Sequence, residues 1–208
     1  MGSTNSKEEN APLARRDGTP GKRVNVVVCS CSVSNNVEGL ISQIKDDMSD
    51  VVANVRFETL PYNIIDMDTF EFNGIDVLLL CHSIENRRFS LTNVTDALYD
   101  GFLPKARMHL GKSKIGVIAH DFPTYELTPD RIESRMESFR HAQETTFNHS
   151  SLVLIGGQFS HHPIELQRDQ INKLKWFFHK AANPPMLESF RICLFRFCRC
   201  CFCSCRYG

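Results

Sequence analysis

The chain has 208 residues, 24 Lys and Arg against 24 Asp and Glu, 42% hydrophobic residues and nine cysteines. Zero net charge leaves no global field to gather nucleic acid. No apolar run approaches the roughly 18 residues that span a bilayer, and the polar, charged start lacks the apolar stretch of a secretory leader, which points to a cytosolic chain.

Residues 1–22 (MGSTNSKEENAPLARRDGTPGK) are polar, rich in Pro and Gly and aperiodic, and read as a disordered arm. Residues 23–183 then hold one domain's worth of core. Its first strand is Arg23–Val28, leading into a Ser/Asn loop. Val37, Leu40, Ile41, Ile44 and Met48 recur at helical spacing, and Val51–Glu58 reads as a second strand. Ile75–Cys81 (IDVLLLC) is a continuous apolar run, the signature of a central parallel strand buried on both faces. A helix is expected around Leu91–Leu103, and Lys114–Ala119 as the fourth strand. Thr128-Pro129-Asp130 starts a helix, with Thr as the cap, Pro in the first turn and Asp at the positive end of the dipole. Ile132, Met136 and Phe139 line one side of it. Leu152–Ile155 is the fifth strand, ended by Gly156-Gly157. Pro163 opens a last helix to about Ala182, with Ile164, Ile171, Leu174 and Phe178 facing inward, and Asn183-Pro184-Pro185 stops it.

Strand-like and helical segments alternate, except that the link between strands two and three is too short for a clear helix. Right-handed crossovers make this an α/β domain with one doubly wound, five-stranded parallel sheet. The flavodoxin-like strand order 2-1-3-4-5 is expected, with helices on both faces.

Six of the nine cysteines fall in the last sixteen residues: Cys193, Cys198, Cys200, Cys201, Cys203 and Cys205. A disulfide framework would spread them through the domain. Residues 184–208 instead interleave Cys with Phe and Arg. Phe can enter a bilayer interface, Arg can meet anionic headgroups, and Cys can carry thioester-linked palmitate. The rival is metal binding at the CxxC spacings Cys198/Cys201 and Cys200/Cys203. With five cysteines in eight residues such spacings are nearly unavoidable, and structural zinc sites use two well-separated pairs. At the other end, Met1-Gly2-Ser3-Thr4-Asn5-Ser6 matches the N-myristoylation pattern at Gly2. A chance match or a cloning scar is the bland reading. One myristoyl chain binds at only about 10⁴ M⁻¹, so a second acyl chain or basic charge is needed for stable attachment.

In such a sheet a ligand binds beyond the carboxyl ends of the strands, at the switch point between the first and third. The candidate ligand-binding residues on that rim are Ser30, Ser32, Ser34, Asn35 and Asn36 after strand one, and His82 and Ser83 after strand three. His120 and Asp121 follow strand four, and Gly157 follows strand five. Hydroxyls and amides at a helix start can cradle a phosphate. Ser/Asn clusters equally well do no more than cap helices. Cys81 and His82 cannot pair as nucleophile and base, because neighbours on a strand face opposite ways; Cys81 reads as a structural thiol. His161-His162 lacks the i, i+4 spacing of a helical metal pair.

Ser30-Cys31-Ser32-Val33-Ser34-Asn35-Asn36 resembles the hydroxyl-rich phosphate loop of flavodoxins, with Asn35 and Asn36 in place of the usual Gly or Thr. That resemblance implies FMN or a nucleotide as ligand and places Phe122 and Tyr125 where such proteins stack aromatics on a flavin. Asp76–Ile84 followed by Phe89–Val94, with the Cys/Arg-rich tail, is similar to the central strand, following helix and lipidated end of Ras- and Rho-like small GTPases. The active parts of those enzymes are missing. There is no GxxxxGK followed by Ser or Thr, no NKxD near Ala119-His120-Asp121, and Asp68-Thr69 lacks a following glycine. Without the Lys and its glycines the backbone cannot wrap the β- and γ-phosphates. The reading that follows is a membrane-tethered, non-enzymatic signalling or scaffold protein that binds another protein, on the cytoplasmic face of a membrane. The alternative is a flavodoxin-like FMN- or nucleotide-binding protein with oxidoreductase activity.

Overall fold

Val77–Ser83 is buried along its whole length, which requires a strand on each edge and helices on each face. The structure, a computed structural model, describes residues 22–87, 89–94 and 97–183. Gly2, the six tail cysteines, and the arm and tail that carry them lie outside the described residues. Five strands, β1 (Val24–Ser30), β2 (Val52–Thr59), β3 (Val77–Ser83), β4 (Ile115–His120) and β5 (Leu152–Ile155), form one sheet. Its order is β2-β1-β3-β4-β5, with every pairing parallel, as expected. The helices are α1 (Glu38–Asp47), the one-turn α2 (Ile64–Met67) and α3 (Ile84–Arg87), then α4 (Phe102–Leu110), α5 (Pro129–Ala142), α6 (Glu144–His149) and α7 (Arg168–Ala182).

The period of two in the strands divides the core between two faces. Leu79 and Cys81 of β3 pack with Leu40 and Ile44 of α1 and Leu174 and Phe178 of α7. Leu78 and Leu80 pack on the other face with Phe102, Leu103 and Ala106 of α4 and Phe139 of α5. The link from β2 to β3 holds only α2, so among the described residues no full helix covers the second face of edge strand β2. The residues there are charged: Arg56 Nη2 lies 2.7 Å from Glu58 Oε1. Charge on an uncovered edge strand also discourages pairing with other chains.

The helix expected around Leu91–Leu103 is not formed. Among the described residues, Leu91–Asn93 runs as irregular chain, and the helix is α4, which begins at Phe102. The amides of Leu91 and Thr92 donate to Gln143 Oε1 at 2.7 and 3.0 Å, and Gln143 Nε2 donates to Phe89 O. Asn93 adopts a left-handed φ of 61°, and its amide donates to Asp100 Oδ1 at 2.9 Å. Side chains thus take the amides a helix would need. The last helix also starts later than expected, at Arg168 instead of Pro163. Gln167 and Gln170 cap it reciprocally, and residues 156–167 pack as loop against β4 and α1. At the start of α5, Thr128 is in the cap position but its side chain makes no cap hydrogen bond.

Gly39 is required where it stands. A Cβ there would meet the His161 carbonyl and would lie 2.8 Å from Phe159 O. The start of α1 can therefore press directly on the loop after β5.

Candidate functional site

The carboxyl ends of the strands gather the predicted rim residues, but most of them face inward. Ser30, Ser32, His82, Ser83 and His120 are buried, whereas Ser34 and Asn35 are exposed and Asn36 and Asp121 are half-buried. Ser30 Oγ accepts the Ser32 amide at 3.0 Å, and Ser30 O accepts the Leu60 amide at 2.8 Å. The β1 loop is thereby tied to the end of β2.

Between β1 and β3 the switch point is filled from the second face by Tyr99. Its hydroxyl lies 3.4 Å from Cys31 Sγ and 3.4 Å from His82 Nδ1. Burial pushes the Tyr99 phenol well above its ordinary pKa, and the Cys31 thiol adds to this. Burial, with the charge of Glu58 next, raises the Cys29 thiol. Burial, then the Asp121 carboxylate, raises Cys81. All three domain cysteines are buried, and thiols held neutral as Cys29 and Cys81 are make poor nucleophiles. Cys81 and His82 lie on opposite faces of the sheet, Cys81 with α1 and α7 and His82 against Tyr99.

On the β4–β5 side, Asp121 has a left-handed φ of 68°. Its amide donates to Gly157 O at 2.9 Å, and the next amide, of Phe122, to Gly156 O at 3.2 Å. Gly157 in turn donates to Glu165 O at 2.9 Å, and a Cβ at 157 would collide with the Glu165 side chain. His120 stacks on Phe159 with ring centroids 5.0 Å apart, and its Nδ1 lies 3.0 Å from Asp121 Oδ2. Burial raises the Asp121 carboxyl, but the adjacent His120 ring and the Ser83 hydroxyl outweigh this. The net pKa is below the ordinary carboxylate value. Ser83 and His120 are register partners on β3 and β4, and both act on the Asp121 carboxylate.

The start of α1, where a phosphate would be cradled, is occupied by the chain itself. The Leu40 amide donates to Phe159 O at 3.3 Å, and the His161 carbonyl packs beside Gly39. Phe122 is buried against Phe89 and under Arg135. Tyr125, by contrast, is 65% exposed. Arg131 lies over its ring, 5.7 Å from the centroid. Beside it a groove of about 360 Å³ is lined by Glu126, Arg131, Ser134, Arg135 and Ser138. Arg135 pairs with Glu126, and among the described residues no carboxylate pairs with Arg131. A second groove, of about 140 Å³, adjoins it between Leu127, Ile132 and Gln167. Sequence reasoning passed over this surface. The only signal was the recurrence of Arg131, Ser134, Arg135 and Ser138 at helical spacing, which is also the pattern of an ordinary solvated face.

Among the described residues no three His, Cys, Asp or Glu side chains are placed to hold a metal, and no helix is long and apolar enough to cross a membrane. No protein-family model, curated protein or solved structure matches this chain.

Proposed function

We propose that this chain is a lipid-anchored, non-enzymatic signalling or scaffold protein, held on the cytoplasmic face of a membrane by acylation at Gly2 and at the tail cysteines. It recognises a protein partner through the rim around Tyr125 and Arg131. The observation that carries this reading is the contrast within the rim. Ser30, Ser32, His82, Ser83 and His120, which would serve small-ligand chemistry, are buried, and of the predicted rim residues only the Ser34–Asn35 turn is fully exposed. The exposed part offers an aromatic ring, an arginine that pairs with no carboxylate among the described residues, and an adjoining groove. Tyr and Arg are, with Trp, the residue types most enriched among those that dominate protein–protein binding energy.

The test is a photo-crosslinking residue at Tyr125 in cells. A discrete adduct that disappears with Arg131→Glu supports the reading. No adduct at Tyr125, or one unaffected by Arg131→Glu, overturns it. The FMN- or nucleotide-binding alternative keeps the strand order in its favour, but the carbonyls of Phe159 and His161 at the start of α1 weigh against an anion there. Flavin absorbance or a bound nucleotide mass in the purified protein would restore that alternative.

A further inference from the structure

The direction of α7 fixes where the acylation candidates join the domain. Near its start, Gln170 Nε2 donates to Ile155 O at the carboxyl end of β5, at 2.9 Å. Further along, Lys175 Nζ lies 3.0 Å from Asp50 Oδ1, just before β2. Phe177 packs at Gly116, near the start of β4, where a Cβ would lie 3.3 Å from its ring. α7 therefore runs against the strands and ends at their amino edge. Lys22 and Arg23 enter β1 from that same edge. The Cys-rich segment follows α7 directly, and the segment with Gly2 precedes β1. Both sets of candidate anchors thus join the domain on the side away from the rim.

The exposed face of α7 has an unusual composition. Leu174, Phe177, Phe178 and Ala181 bury its core side. On the outside, Lys173, Trp176, His179 and Lys180 share one face by their spacing and are exposed. Trp176, the single tryptophan of the chain, is 61% exposed. Lys180 Nζ is 5.6 Å from its ring centroid. Residues 170–183 contain no acid. The turn Lys112–Lys114 packs against this helix and adds the exposed Lys112. Favourable interaction with the helix dipole accounts for cations in a last turn, but not for a bare tryptophan among them. Trp with lysine is the pairing that suits a headgroup interface, with the ring among the headgroups and the cations against anionic lipid.

We infer that the outer face of α7, with the Lys112–Lys114 turn, is a contact surface for an anionic lipid bilayer, so that the domain rests against the membrane. This rests on the lipid-anchored reading above. Asp46, Asp47 and Asp50 lie toward the β2 side of the same edge, with Asp50 neutralised by Lys175. Repulsion of these acids tilts the domain onto its α7 side.

The experiment uses the full acylated chain with phosphatidylcholine vesicles, with and without phosphatidylserine. Emission comes from one tryptophan and so reports this surface alone. The expected result is a blue shift and loss of acrylamide quenching on the phosphatidylserine vesicles. The pair Lys173→Gln and Lys180→Gln, both on exposed side chains, should weaken partition roughly 30-fold, the loss of two lysine contributions. If the chain binds vesicles while Trp176 stays as quenchable as in free protein, the contact surface is wrong and the tether stands. If the acylated chain binds neither vesicle, both are overturned.

Discussion

The amide of Leu40, in the first turn of α1, donates to the carbonyl of Phe159 at 3.3 Å. This contact closes the start of α1 with the chain's own backbone and depends on the missing side chain at Gly39. Gly39→Ala should force α1 and the loop after β5 apart. The Cβ would strike backbone, which cannot rotate away, so the cost should be about 1–3 kcal/mol. Urea denaturation reads this as a lower midpoint with an unchanged slope. A midpoint equal to wild type would mean that the loop does not sit on α1.

Gln143 holds the segment that the sequence reading expected to be helical. It accepts from two amides and donates to one carbonyl across more than fifty residues of chain. Gln143→Leu keeps the bulk and strands these buried groups. It should destabilise by roughly 2–4 kcal/mol and speed hydrogen exchange at Leu91 and Thr92 first. Gln143→Glu keeps the acceptor for both amides but turns an oxygen toward the Phe89 carbonyl, so it too should destabilise, with Leu91 and Thr92 better protected than in Gln143→Leu. Equal exchange protection in all three proteins would refute the clamp.

These two contacts also explain what the sequence made legible. Strands β1, β3, β4 and β5 were readable because burial on both faces demands continuous apolar runs. Strand order followed from the alternation of elements and from the handedness of crossovers. The Leu91–Leu103 error arose because Leu91, Leu98, Tyr99 and Leu103 are all buried and mimic a helical stripe, while the residue that prevents the helix is Gln143, distant in sequence. The later start of α7 was signalled by Gln167 and Gln170, a reciprocal cap written without the usual Ser or Thr. The named rim residues lie at the carboxyl ends of the strands, but the burial of His82 and His120 depends on Tyr99 and Phe159, which no local pattern assigns to the rim.

Asp121 gives the domain an acid-sensitive joint. Its folded-state pKa lies below the ordinary 3.8, because His120 and Ser83 stabilise the carboxylate more than burial opposes it. Its contribution to stability is therefore present above that ordinary value and is lost as pH falls through the folded-state pKa. Asp121→Asn isolates the charge, since Asn tolerates the left-handed backbone found there. The variant should be less stable than wild type at pH 7. The difference should shrink in denaturation curves taken progressively below pH 3.8. A difference independent of pH would assign the loss to packing.

Replacement of Cys198, Cys200, Cys201, Cys203 and Cys205 by Ser should move the protein largely to the cytosol and leave the domain folded. The described core ends at Asn183, and its own cysteines, Cys29, Cys31 and Cys81, are all buried. Thioester chemistry is therefore expected on the tail, with Cys193 as a residual site. Each palmitate adds about 0.8 kcal/mol per buried methylene, against about 1 kcal/mol for each neighbouring arginine. The acyl chains should therefore dominate. Gly2→Ala should weaken the attachment without abolishing it, because the tail retains most of the affinity. Hydroxylamine, which cleaves thioesters, separates this account from a zinc knuckle. Release from membranes by hydroxylamine supports acylation. Stoichiometric zinc in the purified protein, with membrane retention after both hydroxylamine and the five substitutions, would show that lipid on the tail is not what holds the protein in place.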